Sequence, residues 1–231
     1  MPVEQDVKLM FEKAIHIGHR THKWNPRMKR FIYGEKDGIH IIDLEKTSKC
    51  LQAALDFLSK IAKEGKVILF VSTKPQAITM LEKAALECKM PYVVGKWIPG
   101  LLTNFSTIKT RIKYLTDLKE RKERGDFDKY TKKEASKLTK EINKLQIALG
   151  GVEDMTVKPD AVFVLDVVRD NIVVEEASKL GIPIVGVVDT NSDPSNVDYP
   201  IPGNDDAVNA LSFYIEKVVD AVKSSVSKSK K

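Results

Sequence analysis

Apolar residues along the chain alternate between two spacings, one typical of buried strands and one typical of amphipathic helices. Short continuous apolar runs predict strands that are covered by helices on both faces. Apolar residues three and four positions apart predict helices. Because strands and helices alternate, the pattern predicts a parallel sheet with right-handed crossovers. The predicted strands are Ile39–Leu44, Val67–Val71, Pro91–Val94, Asp160–Leu165 and Pro183–Val188.

The predicted helices begin at polar capping residues. Asp6 is the expected N-cap of a helix over residues 6–14, and Thr47 of a helix that ends at Gly65. The last helix is predicted to run from Ala207 to about Val222. Two more helices are expected after the turn at Ser72–Pro75 and over Asn171–Leu180.

A helical pair is predicted between the third and fourth strands. Its first helix, capped by Asn104 or Ser106, carries an apolar stripe, and its second has heptad spacing from Ala135 to Leu149. We therefore expect an antiparallel coiled-coil hairpin over residues 105–149. The predicted core domain consists of residues 1–104 and 150–222, and a flexible basic tail is expected over residues 223–231.

The composition is ordinary for a soluble globular protein, with 42% hydrophobic and 30% charged residues. Cys50 and Cys88 lack the spacing of a zinc knuckle or a disulfide framework. No apolar run reaches the ~18 residues of a membrane span, and the N-terminal sequence does not resemble a signal peptide. These features predict a cytoplasmic protein without a membrane partner.

The net charge of +6 is unevenly distributed along the chain. Residues 1–36 carry a net charge of +4 and residues 109–149 a net charge of +6, whereas residues 150–206 carry −9. Such segregation indicates one side of the molecule that attracts polyanions and another that repels them.

A basic arm is predicted over residues 16–36. From His16 to Phe31 it contains no acidic residue, and Pro26 disfavours helix at the preceding Asn25. Cations attract phosphates and planar rings stack on bases, so the arm is typical of an RNA contact. The alternative is a solvated basic loop whose aromatic residues pack into the core. His16, His19 and His22 lack a nearby ligand that would complete a metal site. The arm's cations are Arg20, Lys23, Arg27, Lys29 and Arg30, interleaved with Trp24, Phe31 and Tyr33.

An acidic segment, Gly186–Asp206, has five carboxylates and no Lys or Arg. Its position after a strand suggests a metal or catalytic site, but the negative charge of the region argues against catalysis and RNA contact alike. We expect a structural role, with no metal. Asp189 and Asn191 would order the turn after the strand, and Asp205 or Asp206 would cap the last helix. A partner of this segment would be a protein with basic side chains.

Eight motifs, in order along nearly the whole chain, resemble the bacterial S2 family of small-subunit ribosomal proteins. They are FEKAIHIGH (Phe11–His19), WNPRM (Trp24–Met28), IHIIDLEKT (Ile39–Thr47), LFVSTKPQA (Leu69–Ala77), LLTNFSTI (Leu101–Ile108), PDAVFVLD (Pro159–Asp166), DTNSDP (Asp189–Pro194) and IPGNDDA (Ile201–Ala207). The sequence departs from the usual family pattern at Ser72, Pro99 and Ser192.

The resemblance implies a flavodoxin-like three-layer α/β/α fold, with a central parallel sheet of about five strands and the hairpin inserted after the third. It implies a non-catalytic constituent of the small ribosomal subunit in the bacterial cytoplasm, without a cofactor and without autonomous homo-oligomers. The implied partners are small-subunit ribosomal RNA and other ribosomal proteins, including the large mRNA-binding protein S1. The residues that we expect to contact RNA are His19, Arg20, Lys23, Trp24, Asn25, Arg27, Lys29, Arg30, Lys74, Asn104, Lys109 and Arg111.

A second hypothesis is a flavodoxin-like enzyme that binds a nucleotide or a metal through Asp189, Asp193 or Lys74. Fold alone does not exclude it, because function depends on sites rather than folds. However, the sequence lacks a GxGxxG motif, a Walker lysine and a local Ser/His/Asp arrangement. Lys74 and the free N–H groups of the Ser72–Pro75 turn offer weak support for phosphate binding, and a plain helix start is the simpler interpretation.

Overall fold

The computed structural model describes the backbone of residues 2–228 and the side chains of residues 6–225. Its helices are α1 (Pro2–Glu12), α2 (Leu44–Lys63), α3 (Ile78–Cys88), α4 (Phe105–Glu123), α5 (Lys132–Leu149), α6 (Asn171–Lys179) and α7 (Val208–Lys228). Its strands are β1 (Ile17–Arg20), β2 (Ile32–Lys36), β3 (Ile39–Ile42), β4 (Ile68–Ser72), β5 (Tyr92–Val94), β6 (Ala161–Val164), β7 (Ile184–Val188) and β8 (Tyr199–Pro202). None of the described helices is long and apolar enough to cross a membrane.

A parallel sheet of five strands forms the centre of the fold, in the order β5-β4-β6-β7-β8. Numbered along the sheet's own chain order, this is 2-1-3-4-5, the flavodoxin-like arrangement. The predicted fold class is therefore confirmed.

Successive residues of β4 face opposite helical layers, as the two-residue period of a strand requires. Ile68 and Phe70 belong to one buried cluster, which includes residues of α2, α3 and α7. Leu69 and Val71 belong to a second cluster, which includes residues of α4, α5 and α6. The sheet is thus covered on both faces, which explains its continuous apolar strands.

The strand predicted at Ile39–Leu44 does not belong to the parallel sheet. The observed strand β3 pairs antiparallel with β1 and β2 in a separate three-stranded sheet. The fifth parallel strand is instead β8, which lies at the sheet edge and pairs with β7. Pro200 and Pro202 in β8 cannot donate ladder hydrogen bonds, so an edge is where such a strand is tolerated.

Helix α2 begins earlier than predicted, and Asp43 caps it. The Asp43 carboxylate accepts hydrogen bonds from the N–H groups of Glu45 and Lys46. The buried Thr47 hydroxyl instead donates to the Pro202 carbonyl at 2.7 Å, which joins α2 to β8. The expected cap at Thr47 was wrong, because a better acceptor lies four residues earlier.

Asp6 is not an N-cap either, since it lies within α1. Its carboxylate pairs with the Lys217 ammonium of α7 at 3.0 Å. Helix α7 continues to Lys228, beyond the predicted end at Val222, and residues 229–231 of the expected tail lie outside the described part of the chain.

Asn204 orders the turn before α7, where Asp205 or Asp206 was the expected cap. The Asn204 side-chain oxygen accepts from the N–H groups of Asp206 and Ala207 at 2.8 and 2.7 Å. Both aspartates contact Lys74 instead. The expected capping role of these two carboxylates was therefore wrong.

Helices α4 and α5 occupy the region of the predicted hairpin and contact each other. Asn104 lies at the N-cap position of α4, although its side chain accepts no capping hydrogen bond. Thr131 and Glu134 form a reciprocal capping box at the start of α5. The coiled-coil geometry of the pair and the domain boundaries stay predictions.

Candidate nucleic-acid interface

The basic arm is a folded segment anchored to the core. It combines β1 with 3₁₀ turns at Thr21–Lys23 and Pro26–Phe31, and Met28 and Phe31 are buried in the second core cluster. Two hydrogen bonds hold it against Thr190, at the end of β7. The Asn25 N–H donates to the Thr190 carbonyl and the His19 N–H to the Thr190 hydroxyl, both at 2.8 Å.

Four cations of the arm, Arg20, Lys23, Lys29 and Arg30, are exposed. Among the described residues, none of them forms an ion pair. Arg27 differs, because its guanidinium pairs with the Asp193 carboxylate. Burial alone would raise the pKa of Asp193, but the Ser195 N–H that donates to it and the Arg27 ion pair outweigh burial and lower the pKa.

The three aromatic residues of the arm have different environments. Phe31 is buried, and Trp24 is half-buried with its ring 5.2 Å from that of His40. Tyr33 is 81% exposed. The Tyr33 ring is therefore accessible to a partner, whereas the Phe31 ring packs in the core.

Lys74, predicted to contact RNA, is buried among three carboxylates. Its ammonium lies 2.9 Å from Asp166, 3.0 Å from Asp205 and 2.9 Å from Asp206. Burial alone would lower the pKa of Lys74, but the carboxylates outweigh it and raise the pKa. An ammonium enclosed in this way is not available to phosphates, so Lys74 leaves the set of candidate RNA contacts.

The Lys74 cluster, which we define as Lys74, Asp166, Asp205 and Asp206, lies beyond the carboxyl ends of β4 and β6. The strand order reverses there, and ligands of open α/β sheets bind at such points. Burial, together with repulsion from Asp166 and Asp189, raises the pKa of Asp205 to about 7. The cluster fills this position with the chain's own ion pairs.

Asp189 lies in the turn after β7, where the sequence predicts an ordering role for it. Its buried carboxylate accepts hydrogen bonds from the N–H and hydroxyl groups of Thr190, and lies 3.1 Å from the His19 ring. The neighbouring Asp189 carboxylate outweighs burial and raises the pKa of His19. Asn191 lies 3.4 Å from the same ring and accepts from Ser192.

Among the residues that the structure describes, one group could hold a metal ion. It consists of His19, Asp205 and Asp206, whose ligand atoms lie within 4.8 Å of one another. Lys74 already contacts both carboxylates. The residues of the enzyme hypothesis have structural partners as well: Asp193 binds Arg27, Asp189 binds Thr190, and Lys74 binds three aspartates.

Glu176 is a central polar residue that no sequence motif singled out. Five donors converge on its buried carboxylate: the Trp97 indole N–H, the N–H groups of Gly100, Leu102 and Thr103, and the Thr103 hydroxyl, at 2.7–3.1 Å. Burial opposes ionisation, but these hydrogen bonds lower the pKa of Glu176. The loop that leads into α4 is thereby fixed to α6. The donor loop and Glu176 are distant in the sequence and share no local motif. The contact could therefore not be predicted from the spacing of residues along the chain.

The expected hairpin contacts, Asn104, Lys109 and Arg111, are all exposed near the start of α4. The Lys109 ammonium lies 5.3 Å from the centre of the Phe105 ring. Arg111 lines an open cleft between α4 and α5. Among the described residues, none from the basic arm lines this cleft. The structure thus presents two basic surfaces, one on the arm and one on the helical pair.

A flavodoxin-like core with exposed basic surfaces on the arm and the helical pair defines an α/β protein with candidate sites for polyanions. Comparison with known proteins gives a narrower assignment. Residues 10–225 match the family described as "Ribosomal protein S2". The chain belongs to the ribosomal protein S2 family.

Two curated relatives illustrate the similarity, and both are named "Small ribosomal subunit protein uS2". The protein of a Nitratiruptor species is 47% identical over 94% of this chain and 81% of its own length. The protein of Dictyoglomus thermophilum is 46% identical over 94% of this chain and 88% of its own length.

Proposed function

We propose that the protein is a structural constituent of the small ribosomal subunit and binds ribosomal RNA through the basic arm, with the helical pair as a second contact. The observation that carries this proposal is the arm itself. Four exposed cations, without carboxylate partners among the described residues, lie on a segment fixed to the core. Family membership and the names of the relatives support the small subunit as its location.

The candidate contacts on the arm are His19, Arg20, Lys23, Trp24, Asn25, Arg27, Lys29 and Arg30, and those on α4 and its N-cap are Asn104, Lys109 and Arg111. Arg20, Lys23, Lys29 and Arg30 are the main ones, because phosphate attraction dominates RNA affinity. Arg27 contributes once its ion pair with Asp193 opens or is shared. Trp24 and Asn25 support the shape of the arm.

The wider role follows from the same proposal. The protein acts in the cytoplasm, within the ribosome, without a cofactor, a catalytic activity or an autonomous homo-oligomer. It has other small-subunit proteins as neighbours and helps to recruit ribosomal protein S1. The carboxylates of the acidic segment suit a protein neighbour with basic side chains.

Reconstitution of small subunits tests the proposal. Arg20→Gln, Lys29→Gln and Arg30→Gln in one variant should lower incorporation several-fold, because three phosphate-attracting charges are lost. The matched control replaces Lys49, Lys60 and Lys63 of α2 by Gln, with the same change in net charge. Equal incorporation of the two variants and the parent protein would contradict an RNA-binding arm.

A further inference from the structure

An open cleft lies between α4 and α5 at the base of the helical pair, with a volume of about 730 Å³. Its apolar floor includes Ile108, Leu145 and Leu149, and one wall is the loop at Ile98–Gly100. Clefts of this size accommodate small ligands or a few groups of a larger one. Cationic side chains on both helices line the rim.

Four cations, Arg111, Lys137, Lys140 and Lys144, line the cleft and are exposed. Among the described residues, none of them forms an ion pair. One acid, the half-buried Glu141, also lines the cleft, so its lining has a net charge of +3. This concentration of charge lacks a counterion within the described chain.

Some cations elsewhere on the helical pair have carboxylate partners. Lys119 pairs with Glu153 at 2.5 Å, Arg121 contacts Asp117, and Lys129 pairs with Asp126 at 2.8 Å. Such pairing makes these three side chains less attractive to polyanions. Within the described part of the chain, Lys113, Lys122, Lys132 and Lys133 also lack an ion pair, but they lie outside the cleft. The grouping of four unpaired cations around one cleft therefore marks it as the part of the pair most suited to an anionic partner.

One wall of the cleft is held in place before any partner binds. Glu176 accepts a 2.7 Å hydrogen bond from the Gly100 N–H and four more from the same loop. A fixed wall lowers the ordering cost of binding. The five donors bind Glu176 of α6 and are not available to a ligand. The shape of the cleft therefore depends on α6.

We propose that this cleft binds an unpaired segment of RNA, with phosphates on Lys137, Lys140 and Lys144 and a base against Arg111 and the apolar floor. The proposal rests on the proposed function in RNA binding, and it specifies where on the helical pair RNA binds and which kind of RNA binds there. Lysine ammonium groups suit phosphates, while the planar Arg guanidinium can stack on a base. An apolar floor favours an unstacked base over a closed duplex, whose bases are inaccessible.

Salt-dependent binding to a 20-nucleotide unstructured RNA tests the charges. The cleft triple is the full chain with Lys137→Gln, Lys140→Gln and Lys144→Gln. It should reduce the slope of log affinity against log salt by about 2, because each phosphate contact with single-stranded RNA contributes ~0.7 to the slope. The control triple of Lys122→Gln, Lys132→Gln and Lys133→Gln removes equal charge from exposed positions outside the cleft. It should change the slope by less than about 1.

Arg111→Lys tests the base contact, because it keeps the charge and removes the planar group. It should weaken binding of the unpaired RNA about threefold or more and leave binding of the same sequence in a duplex unchanged. Equal losses for the unpaired and duplex RNA would contradict the base contact.

Three outcomes would overturn the proposal: an unchanged slope in the cleft triple, equal slopes in the cleft and control triples, or intact RNA binding with loss of an acidic protein neighbour from the subunit. The arm variant Arg20→Gln/Lys29→Gln/Arg30→Gln separates the two sites in the same assay. If the arm variant loses affinity and the cleft triple does not, only the cleft proposal fails. If the parent chain binds no RNA, the proposed function fails.

Discussion

The Lys74 cluster and the basic arm use positive charge in opposite ways. In the cluster, one buried ammonium contacts three carboxylates. On the arm, four exposed cations have no carboxylate partner among the described residues. The first arrangement ties β4, β6 and the turn before α7 together. The second leaves its charge available to another molecule.

Charge density along a sequence therefore does not tell which cations bind a partner. A buried ion pair mainly avoids the large cost of an unpaired buried charge, whereas an exposed cation adds little to stability. Substitutions in the two regions should separate these roles, with large effects on folding in one and on RNA binding in the other.

The largest effect on stability should come from Lys74→Met. It leaves Asp166 and Asp205 buried without their cation, which should lower the free energy of unfolding by about 3–5 kcal/mol. Lys46→Met is the matched control, since Lys46 pairs with Asp43 at the surface, and its cost should stay below about 1 kcal/mol. Urea denaturation measures both. Similar costs for the two variants would show that Lys74 is not a structural cation.

A smaller loss is expected for Glu176→Gln. The amide keeps one acceptor but turns an NH₂ group toward donors, so the free energy of unfolding should fall by about 2–3 kcal/mol. Glu175→Gln, at the exposed neighbouring position of α6, should cost less than about 0.5 kcal/mol. A stable Glu176→Gln protein would mean that the loop before α4 does not need this carboxylate.

The pH dependence of stability should reveal Asp205. Its pKa is about 7 in the folded protein against an ordinary value of 3.8, so the folded state holds the proton more tightly. Stability should therefore fall as the pH rises from 5 to 8, by about 1–3 kcal/mol. The raised pKa of His19 acts in the same direction, since its stabilising charge is lost as the pH rises through the folded value.

Asp205→Asn should flatten this pH profile, because the amide does not titrate. Thermal or urea unfolding at several pH values between 5 and 8 measures the change. A parent protein whose stability is constant or rises over this range would contradict a raised pKa at Asp205.

Much of the fold was predictable, because its signals are local. The apolar run at Val67–Val71 indicated a strand covered on both faces, and the heptad spacing from Ala135 to Leu149 indicated a helix. Strand β8 was missed because its two prolines suggest a loop, and tolerance of proline at an edge depends on the whole sheet. Strand β3 was assigned to the wrong sheet, since its partners β1 and β2 lie in the irregular arm.

The candidate site was less predictable, because its key contacts join distant residues. Lysine is rarely buried, so the sequence favoured an exposed Lys74 at a helix start. Its three carboxylates lie some 90 to 130 positions further along the chain. The cations of the arm were recognisable from sequence because they are clustered, but the Arg27–Asp193 pair was not.

The salt dependence of binding to small-subunit ribosomal RNA tests the central claim most directly. The full chain and the variant with Arg20→Gln, Lys29→Gln and Arg30→Gln are compared by filter binding between low and moderate salt. We predict that the slope of log affinity against log salt decreases by about 2–3 in the variant, while its free energy of unfolding changes by less than about 0.5 kcal/mol. An unchanged slope with unchanged stability would contradict RNA binding by the basic arm.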